Sequence, residues 1–217
     1  MRQAFAREAS PVMAKVLVTG AVVGLASLFF FKSLTVTVAL ITLAAMGFTA
    51  FFFRDPVRIP PEGEKNVLAP ADGKIIDISS RFEDEYLNGE CLRISIFMSL
   101  WNVHVNRVPV SGVVEHVAYR KGRFLAAFRN EAPEMNEMRS IGINTGTNKV
   151  LLRQVAGTIA RRIRTYKEKG DSVKAGEKLG LIAFGSRVDI YLPPGFAGKM
   201  SLGQTTRAGE SILGVLP

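Results

Sequence analysis

Cysteine and histidine are scarce in this chain. Cys91 is the only cysteine, and His104 and His116 are the only histidines. A single thiol excludes an intrachain disulfide and gives no sign of an oxidising compartment. So few ligands also disfavour a structural zinc site of the usual cysteine and histidine type. We therefore expect no metal ion, and any chemistry must come from another source.

Charge is nearly missing from two long stretches near the N-terminus. Residues 16–31 form an uncharged, mostly apolar run, and residues 34–53 form a second one after Lys32 and Ser33. A bilayer-spanning helix needs ~20 apolar residues, so the second run is long enough and the first is marginal. A cleavable signal peptide is a poor alternative, because its single apolar core would lead into a cleavage site and a polar chain. Two buried core helices remain the other alternative.

Basic residues flank the apolar runs on both sides. They are Arg2, Arg7, Lys15, Arg54 and Arg58. Under the positive-inside tendency, this pattern predicts a hydrophobic helical membrane hairpin over residues 1–53 with both ends cytoplasmic. Residues 54–217 would then form a domain on the cytoplasmic face of the cell membrane. A single span or a shallow re-entrant hairpin stays open.

The part of the chain that follows the apolar runs carries most of the net charge of +9. Two basic clusters lie there: Arg120, Lys121, Arg123 and Arg129, and then Arg161, Arg162, Arg164, Lys167 and Lys169. Beside a membrane anchor, such clusters suit an anionic membrane surface, at ~1 kcal/mol for each basic residue. We see no nucleic-acid-binding motif and expect no nucleic acid partner.

After residue 53 the chain consists of short β-forming segments separated by Gly, Pro and Asp, which predicts a mostly β domain. The strongest strand candidates are residues 73–79, 91–98, 112–119, 149–155 and 187–192. Helical periodicity is weak here, and residues 122–130 are expected to form a short helix or a loop.

A weak internal repeat points to a barrel-sandwich domain of the lipoyl or biotinyl kind. Residues 69–75 and 170–177 look like its two halves, and their turn glycines suit tight hairpins. The modified lysine of such carrier domains is absent. At the corresponding place stands the sequence FGSR, residues 184–187.

The Gly185-Ser186 pair within that sequence is capable of self-cleavage. A serine hydroxyl can attack the carbonyl of the preceding residue if the backbone bends, and glycine tolerates such a bend. The resulting ester can eliminate across Ser186, and the dehydroalanine so formed hydrolyses to a pyruvoyl group with loss of ammonia. Gly-Ser pairs are common in loops, so the surrounding sequence must decide.

Five motifs occur in one order across residues 52–189: FFRDP (52–56), APADG (69–73), FMSLWNVHVNRVP (97–109), NE (136–137) and FGSRVD (184–189). In sequence and spacing they resemble the short phosphatidylserine decarboxylases. The resemblance implies a membrane-associated zymogen that cleaves itself between Gly185 and Ser186 into a large and a small chain. It also implies a covalent pyruvoyl group derived from Ser186, which forms a Schiff base with a serine phospholipid and yields phosphatidylethanolamine.

The same resemblance suggests roles for two further residues. His104 matches the first histidine of a His-x-x-His pattern in longer relatives, and an imidazole exchanges protons near neutral pH. Asp72 matches the aspartate of Ala-Asp-Gly and would orient that imidazole or help polarise Ser186, as in a catalytic triad. Arg107 replaces the second histidine, which leaves the processing base open. Arg187 follows Ser186 where longer relatives have Thr or Ser.

Two other functions stay open at this point. One is a non-enzymatic membrane adaptor, in which Gly185-Ser186 is merely a hairpin turn. The other is the same decarboxylation on an archaeal ether-linked serine lipid, because the reacting headgroup is identical.

Overall fold

The computed structural model describes residues 5–30, 32–129, 132–158, 163–183 and 185–217. Of the residues named above, Arg2, Arg161, Arg162 and Phe184 lie outside this part of the chain, as do residues 31 and 130 at the ends of two of the ranges. The chain divides into two units, Met1–Val57 and Arg58–Pro217.

The first unit is a pair of antiparallel helices, α1 (Ala9–Phe30) and α2 (Lys32–Phe52). The Ser27 and Thr35 hydroxyls hydrogen-bond across the pair at 2.8 Å. The spans Ala9–Leu28 and Leu34–Phe52 are long and apolar enough to cross a membrane, with mean hydropathy of 1.8 and 2.0. Only 6% of each span is buried, which disfavours the alternative of two core helices.

The first helix is longer than the sequence pattern predicts. It begins at Ala9, seven positions before the first apolar run, with Pro11 in its first turn. Proline is tolerated there because the first backbone N–H groups of a helix have no intrahelical acceptor. The first span is therefore not marginal in length.

Within its described residues, the second unit contains fourteen strands and one short helix, α3 (Ala132–Met135). The strands are β1 (Asn66–Leu68), β2 (Gly73–Glu83), β3 (Gly89–Met98), β4 (Val105–Arg107), β5 (Gly112–Arg120), β6 (Met138–Asn144), β7 (Lys149–Val155), β8 (Ile163–Thr165), β9 (Ser172–Val173), β10 (Lys178–Ile182), β11 (Ser186–Leu192), β12 (Ala197–Gly198), β13 (Thr205–Thr206) and β14 (Ile212–Val215).

Eight of these strands form a curled, half-barrel sheet in the order β13-β2-β3-β11-β7-β6-β5-β9, and every pair is antiparallel. Two three-stranded sheets, β1-β14-β12 and β4-β10-β8, contribute to the same core. The prediction of a mostly β fold preceded by an apolar helical hairpin is confirmed. The described part of residues 122–130 forms a loop.

Strand positions agree with the sequence pattern better than strand ends do. All five candidates lie within or on strands, but β2 and β3 run further because their hairpin turns only at residues 84–88, where Asn88 has a φ of 52°. Nine of the fourteen described strands, β6 among them, lie outside the five candidates.

The apolar core lies on the inner face of the half-barrel. Alternate residues of β3 and β11 point into it, among them Ile94, Ile96, Val188 and Ile190, which are fully buried. Because β11 pairs with β3 and β7, the first residue of β11 stands at one end of this buried face.

Removing residues 1–53 should release the protein from membranes and leave the β unit folded, since that unit has its own core. We would compare truncated and full-length proteins by sedimentation with membranes after a high-salt wash. Salt screens attraction by basic clusters but not hydrophobic insertion. A truncated protein that still sediments after the wash would contradict the anchor assignment.

Candidate active site

The link between Gly185 and Ser186 lies where the chain enters the large sheet. Gly185 has a φ of 67°, in the left-handed region that glycine adopts without a steric penalty. A Cβ atom added there would meet nothing within 4 Å, so the requirement for glycine is conformational and the adjacent space is open. Ser186, the next residue, is completely buried.

The Ser186 side chain belongs to the inner face of the sheet. Side chains alternate along a strand, and Ser186 shares its face with Val188 and Ile190 of the core. Its backbone pairs with Met98, and its hydroxyl donates to the Met98 thioether sulfur at 3.5 Å. A thioether is a weak acceptor, so this contact holds the hydroxyl only loosely.

A chain of buried amide groups leads away from the same sulfur atom. The Asn106 amide donates to Met98 Sδ at 3.4 Å, and the Gln154 amide donates to Asn106 Oδ1 at 2.8 Å. The Thr165 hydroxyl then donates to Gln154 Oε1 at 2.9 Å. Asn106 and Gln154 are fully buried, so neutral polar groups rather than charges surround Ser186 on this side.

Sequence reasoning missed this chain of polar side chains. Asn106 lies within the motif of residues 97–109, but the resemblance assigns it no role, and Gln154 and Thr165 lie outside all five motifs. The sequence does indicate a special role for Gln154. It continues the alternate positions of β7 that Val150 and Leu152 occupy, and those two side chains lie in the core. A polar residue at such a position needs a buried partner.

His104 is fully buried and immediately precedes β4. Its carbonyl accepts a hydrogen bond of 3.4 Å from the backbone N–H of Ile182, the last residue of β10. Only three residues separate Ile182 from Ser186. The pairing of β4 with β10 therefore ties the histidine segment to the strand that leads into the Gly185-Ser186 link.

Asp72 lies just before β2, which is separated from β11 by β3 alone. Arg58 Nη2 donates to both of its carboxylate oxygens, at 3.0 and 2.7 Å. The backbone N–H of Ala208 donates to Asp72 Oδ1 at 2.7 Å. These bonds orient the carboxylate, and its action on His104 or Ser186 remains a prediction.

Arg107, at the position of the second histidine of longer relatives, is 7% exposed. Its Nη1 donates to the Gly176 carbonyl at 3.0 Å. A guanidinium keeps its protons in proteins, so this side chain is unsuited to serve as the processing base.

Arg187 follows Ser186 but lies on the opposite face of the sheet. There its Nε donates to Asp189 Oδ1 and its Nη2 donates to Ser95 Oγ at 2.6 Å. All three residues are at most 1% exposed. The arginine therefore belongs to an ion pair behind the strand rather than to the surroundings of the Ser186 hydroxyl.

His116 is held in a separate cluster of charged and aromatic side chains. Its Nε2 lies 2.9 Å from Glu85 Oε1, and its ring stacks on Tyr86. Burial alone would raise the pKa of Glu85, but hydrogen bonds from His116 and Arg153 outweigh it and hold that pKa below its ordinary value. Strands β6 and β7 stand between β5, which carries His116, and β11.

Comparison with known proteins gives one consistent result. The sequence model of the phosphatidylserine decarboxylase family matches residues 45–214. A phosphatidylserine decarboxylase proenzyme of Pelodictyon phaeoclathratiforme is 45% identical over 93% of this chain and 94% of its own length. Proteins of the same name are 46% identical in Desulfotalea psychrophila, over 80% of this chain and 82% of the relative, and 50% identical in Geobacter sulfurreducens, over 78% of each.

The buried ion pair between Arg187 and Asp189 should contribute to the stability of the fold. Asp189→Asn should lower the free energy of unfolding by about 3 kcal/mol or more, because it leaves the Arg187 charge buried without its counter-ion. Asp77→Asn is the matched control, since Asp77 pairs with Arg93 on the same sheet but 30% of its side chain is exposed. That change should cost less than Asp189→Asn, because solvent screens the partly exposed Asp77 carboxylate. Denaturant unfolding followed by circular dichroism measures both changes. Equal losses of unfolding free energy in the two variants would contradict the assignment.

Proposed function

Because the chain belongs to the phosphatidylserine decarboxylase family, we propose that it cleaves itself at Gly185-Ser186 and then converts phosphatidylserine to phosphatidylethanolamine. The observation that carries the proposal is the conformation of that link, a left-handed glycine joined to a fully buried serine. The family resemblance noted in the sequence is confirmed by the matches to named proenzymes.

Cleavage would begin with attack of Ser186 Oγ on the Gly185 carbonyl carbon. A C–O bond forms, the C–N bond to Ser186 breaks, and the hydroxyl proton passes to the freed nitrogen. A base then removes the α-proton of Ser186, and the bond between Ser186 Cβ and Oγ breaks. Oγ leaves as part of the Gly185 carboxylate, and residue 186 becomes dehydroalanine. Water replaces nitrogen at the α-carbon of residue 186 with loss of ammonia, so atoms and charge balance.

The surroundings of Ser186 suit the pyruvoyl group that this cleavage would leave. The site is buried among neutral groups, with the Met98 thioether and the Asn106 amide side by side. The open space beside Gly185 gives the released chain end room to move away. The pyruvoyl group supplies a carbonyl that takes up the substrate amine and the electron pair left by CO2.

His104 is our candidate for moving protons in this site. Burial just before β4 keeps its imidazole out of water, and the β4–β10 pairing ties its backbone to the segment before Ser186. In turnover, it would deliver a proton to the substrate carbon that loses CO2. Asp72, oriented by Arg58 and the Ala208 backbone, would support His104 or Ser186.

The proposal extends to location. The two apolar helices suggest membrane association, and we propose residues 1–53 as an anchor with both ends cytoplasmic and residues 54–217 as the catalytic part. An anionic membrane surface is the proposed partner of the exposed basic residues. An ether-linked serine lipid presents the same headgroup, so the proposed chemistry would serve it equally.

Ser186→Ala should leave the chain uncleaved and inactive, because no hydroxyl remains to attack the Gly185 carbonyl. Ser140→Ala is the matched control, since Ser140 is also a buried serine of the large sheet but hydrogen-bonds to Glu85. It should be cleaved as the unaltered chain is. Gel electrophoresis of purified proteins decides the matter, and a cleaved Ser186→Ala chain would rule out this link as the processing site.

His104→Ala separates processing from turnover. If His104 acts only in decarboxylation, the variant should still be cleaved but lose ~100-fold to 10,000-fold in CO2 release. If it also activates Ser186 with Asp72, both His104→Ala and Asp72→Asn should stay uncleaved. His116→Gln is the histidine control and should keep both activities. Normal cleavage and normal turnover in His104→Ala would remove His104 from the site.

The Asp72 result needs its own control, because Asp72 also binds Arg58. Arg58→Gln removes that partner while leaving the Asp72 carboxylate in place. A processing defect in Asp72→Asn but not in Arg58→Gln supports a direct role for the carboxylate. Equal defects would mean that the ion pair acts only through local structure.

A further inference from the structure

Two large aromatic side chains stand exposed beside the Gly185-Ser186 link. Trp101 is 70% exposed and Phe128 is 61% exposed. They line an open cavity of about 330 Å³ together with Phe97, Leu100, Ala127 and Gly185, among others. The described lining residues include no charged side chain. We call the exposed pair, Trp101 and Phe128, the aromatic rim.

Local hydrogen bonds hold Trp101 of the rim in position. Residues 99–102 form a turn closed by a 3.1 Å hydrogen bond from the Asn102 N–H to the Ser99 carbonyl. The Asn102 side chain also accepts 2.8 Å bonds from the Ser99 N–H and hydroxyl. This turn holds Leu100 and Trp101 at its two central positions, directly after Met98, which contacts Ser186.

Phe128 is placed by a contact with the sheet. Its ring meets that of Phe97 edge-on, with 5.9 Å between ring centroids. Arg129 follows it and is exposed, as are Lys121 and Arg123 in the same connection between β5 and α3. Exposed aromatic rings beside basic side chains are the combination found where proteins meet an anionic bilayer surface.

We propose that the aromatic rim docks on the bilayer interface, with Trp101 and Phe128 inserted at headgroup level next to the reactive link. This inference rests on the proposed function, because a phospholipid substrate is what makes a bilayer the natural occupant. Tryptophan suits that depth, since its ring is apolar and its N–H remains able to meet polar groups. Gly185 lines the same cavity, so the docked surface and the reactive link are continuous.

The size of the cavity favours docking over extraction of a whole lipid. About 330 Å³ is at the lower end of small-molecule sites, room for a headgroup and adjoining methylene groups. The long apolar tails would then stay in the bilayer while the headgroup reaches the site. A second copy of the protein as occupant would instead shield the rim without bringing it into contact with lipid.

Trp101 is the only tryptophan in the chain, so its fluorescence reports on the rim without background. We would place the full-length protein in phosphatidylcholine and phosphatidylserine vesicles, with and without lipids brominated near the headgroup end of their tails. Docking predicts at least a twofold loss of fluorescence with brominated lipid and protection from aqueous iodide. Unchanged emission with brominated lipid would overturn the proposal, and iodide protection without lipid quenching would assign the rim to a protein copy.

The control moves the tryptophan to the far end of the sheet. Phe82 is 65% exposed near the opposite end of β2, about 26 Å along the strand from Lys74, which pairs with Phe97. The double variant Trp101→Phe with Phe82→Trp should lose the lipid quenching and regain iodide quenching. Quenching by lipid that is equal at both positions would contradict docking through the rim.

The uncleaved Ser186→Ala protein distinguishes this proposal from the proposed function. Quenching does not require a pyruvoyl group, so this variant should show the same lipid contact as the unaltered protein. Lipid contact without cleavage in the unaltered chain would refute the function and leave the docking surface standing. Cleavage without lipid contact would refute the docking surface and leave the proposed function standing.

Kinetics provide a second test. Trp101→Ser combined with Phe128→Ser should raise the KM for phosphatidylserine in vesicles about tenfold, because two interfacial aromatic contacts are lost. Leu202→Ser is the control, since Leu202 is 68% exposed and is not among the residues that line the cavity. An unchanged KM in the double variant would count against the rim.

Discussion

The pairing of β11 with β3 is the constraint on which the candidate site depends. It sets Ser186 opposite Met98 at the end of a buried face, and it forces the chain to turn into the sheet at Gly185. A shift of one residue in this register would exchange the two faces of β11. Ser186 would then point toward the charged side, and Arg187 would point into the apolar core.

The two faces of β11 differ in chemistry for that reason. On the inner face, neutral groups surround Ser186. There the Asn106 side chain donates to the Met98 sulfur and accepts from the Gln154 amide. On the outer face, Arg187 and Asp189 neutralise each other in near-complete burial. The outer pair supports the strand, while the inner face leaves the serine hydroxyl with only a weak acceptor.

Local pattern was enough to predict the main elements of the fold. The apolar runs gave the helical hairpin, and segments such as residues 149–155 gave strands with correct ends. Long-range pairing was not predictable in this way, so β6 and the extension of β2 and β3 were missed. The start of the first helix was also missed, because the uncharged run begins only after Lys15, whereas the helix begins at Ala9.

The site was predicted from ordered motifs rather than from physical pattern alone. The resemblance predicted Gly185, Ser186, His104 and Asp72 as site residues. It did not predict the partners of Asp72, because Arg58 and Ala208 lie outside the Ala-Asp-Gly motif and only the fold brings them to it. Gln154 and Thr165 belong to β7 and β8, and only the folded sheets bring them toward Asn106. Trp101 had no sequence signal, because exposure beside Gly185 is a property of the fold.

Self-cleavage at Gly185-Ser186 is the central claim, and the mass and end group of the smaller chain test it most directly. In active preparations, the account predicts a fragment of residues 186–217 whose first residue lacks an amine and reacts with a hydrazide through a carbonyl group. A single intact chain with full decarboxylase activity would contradict it. So would a 186–217 fragment that begins with an ordinary serine.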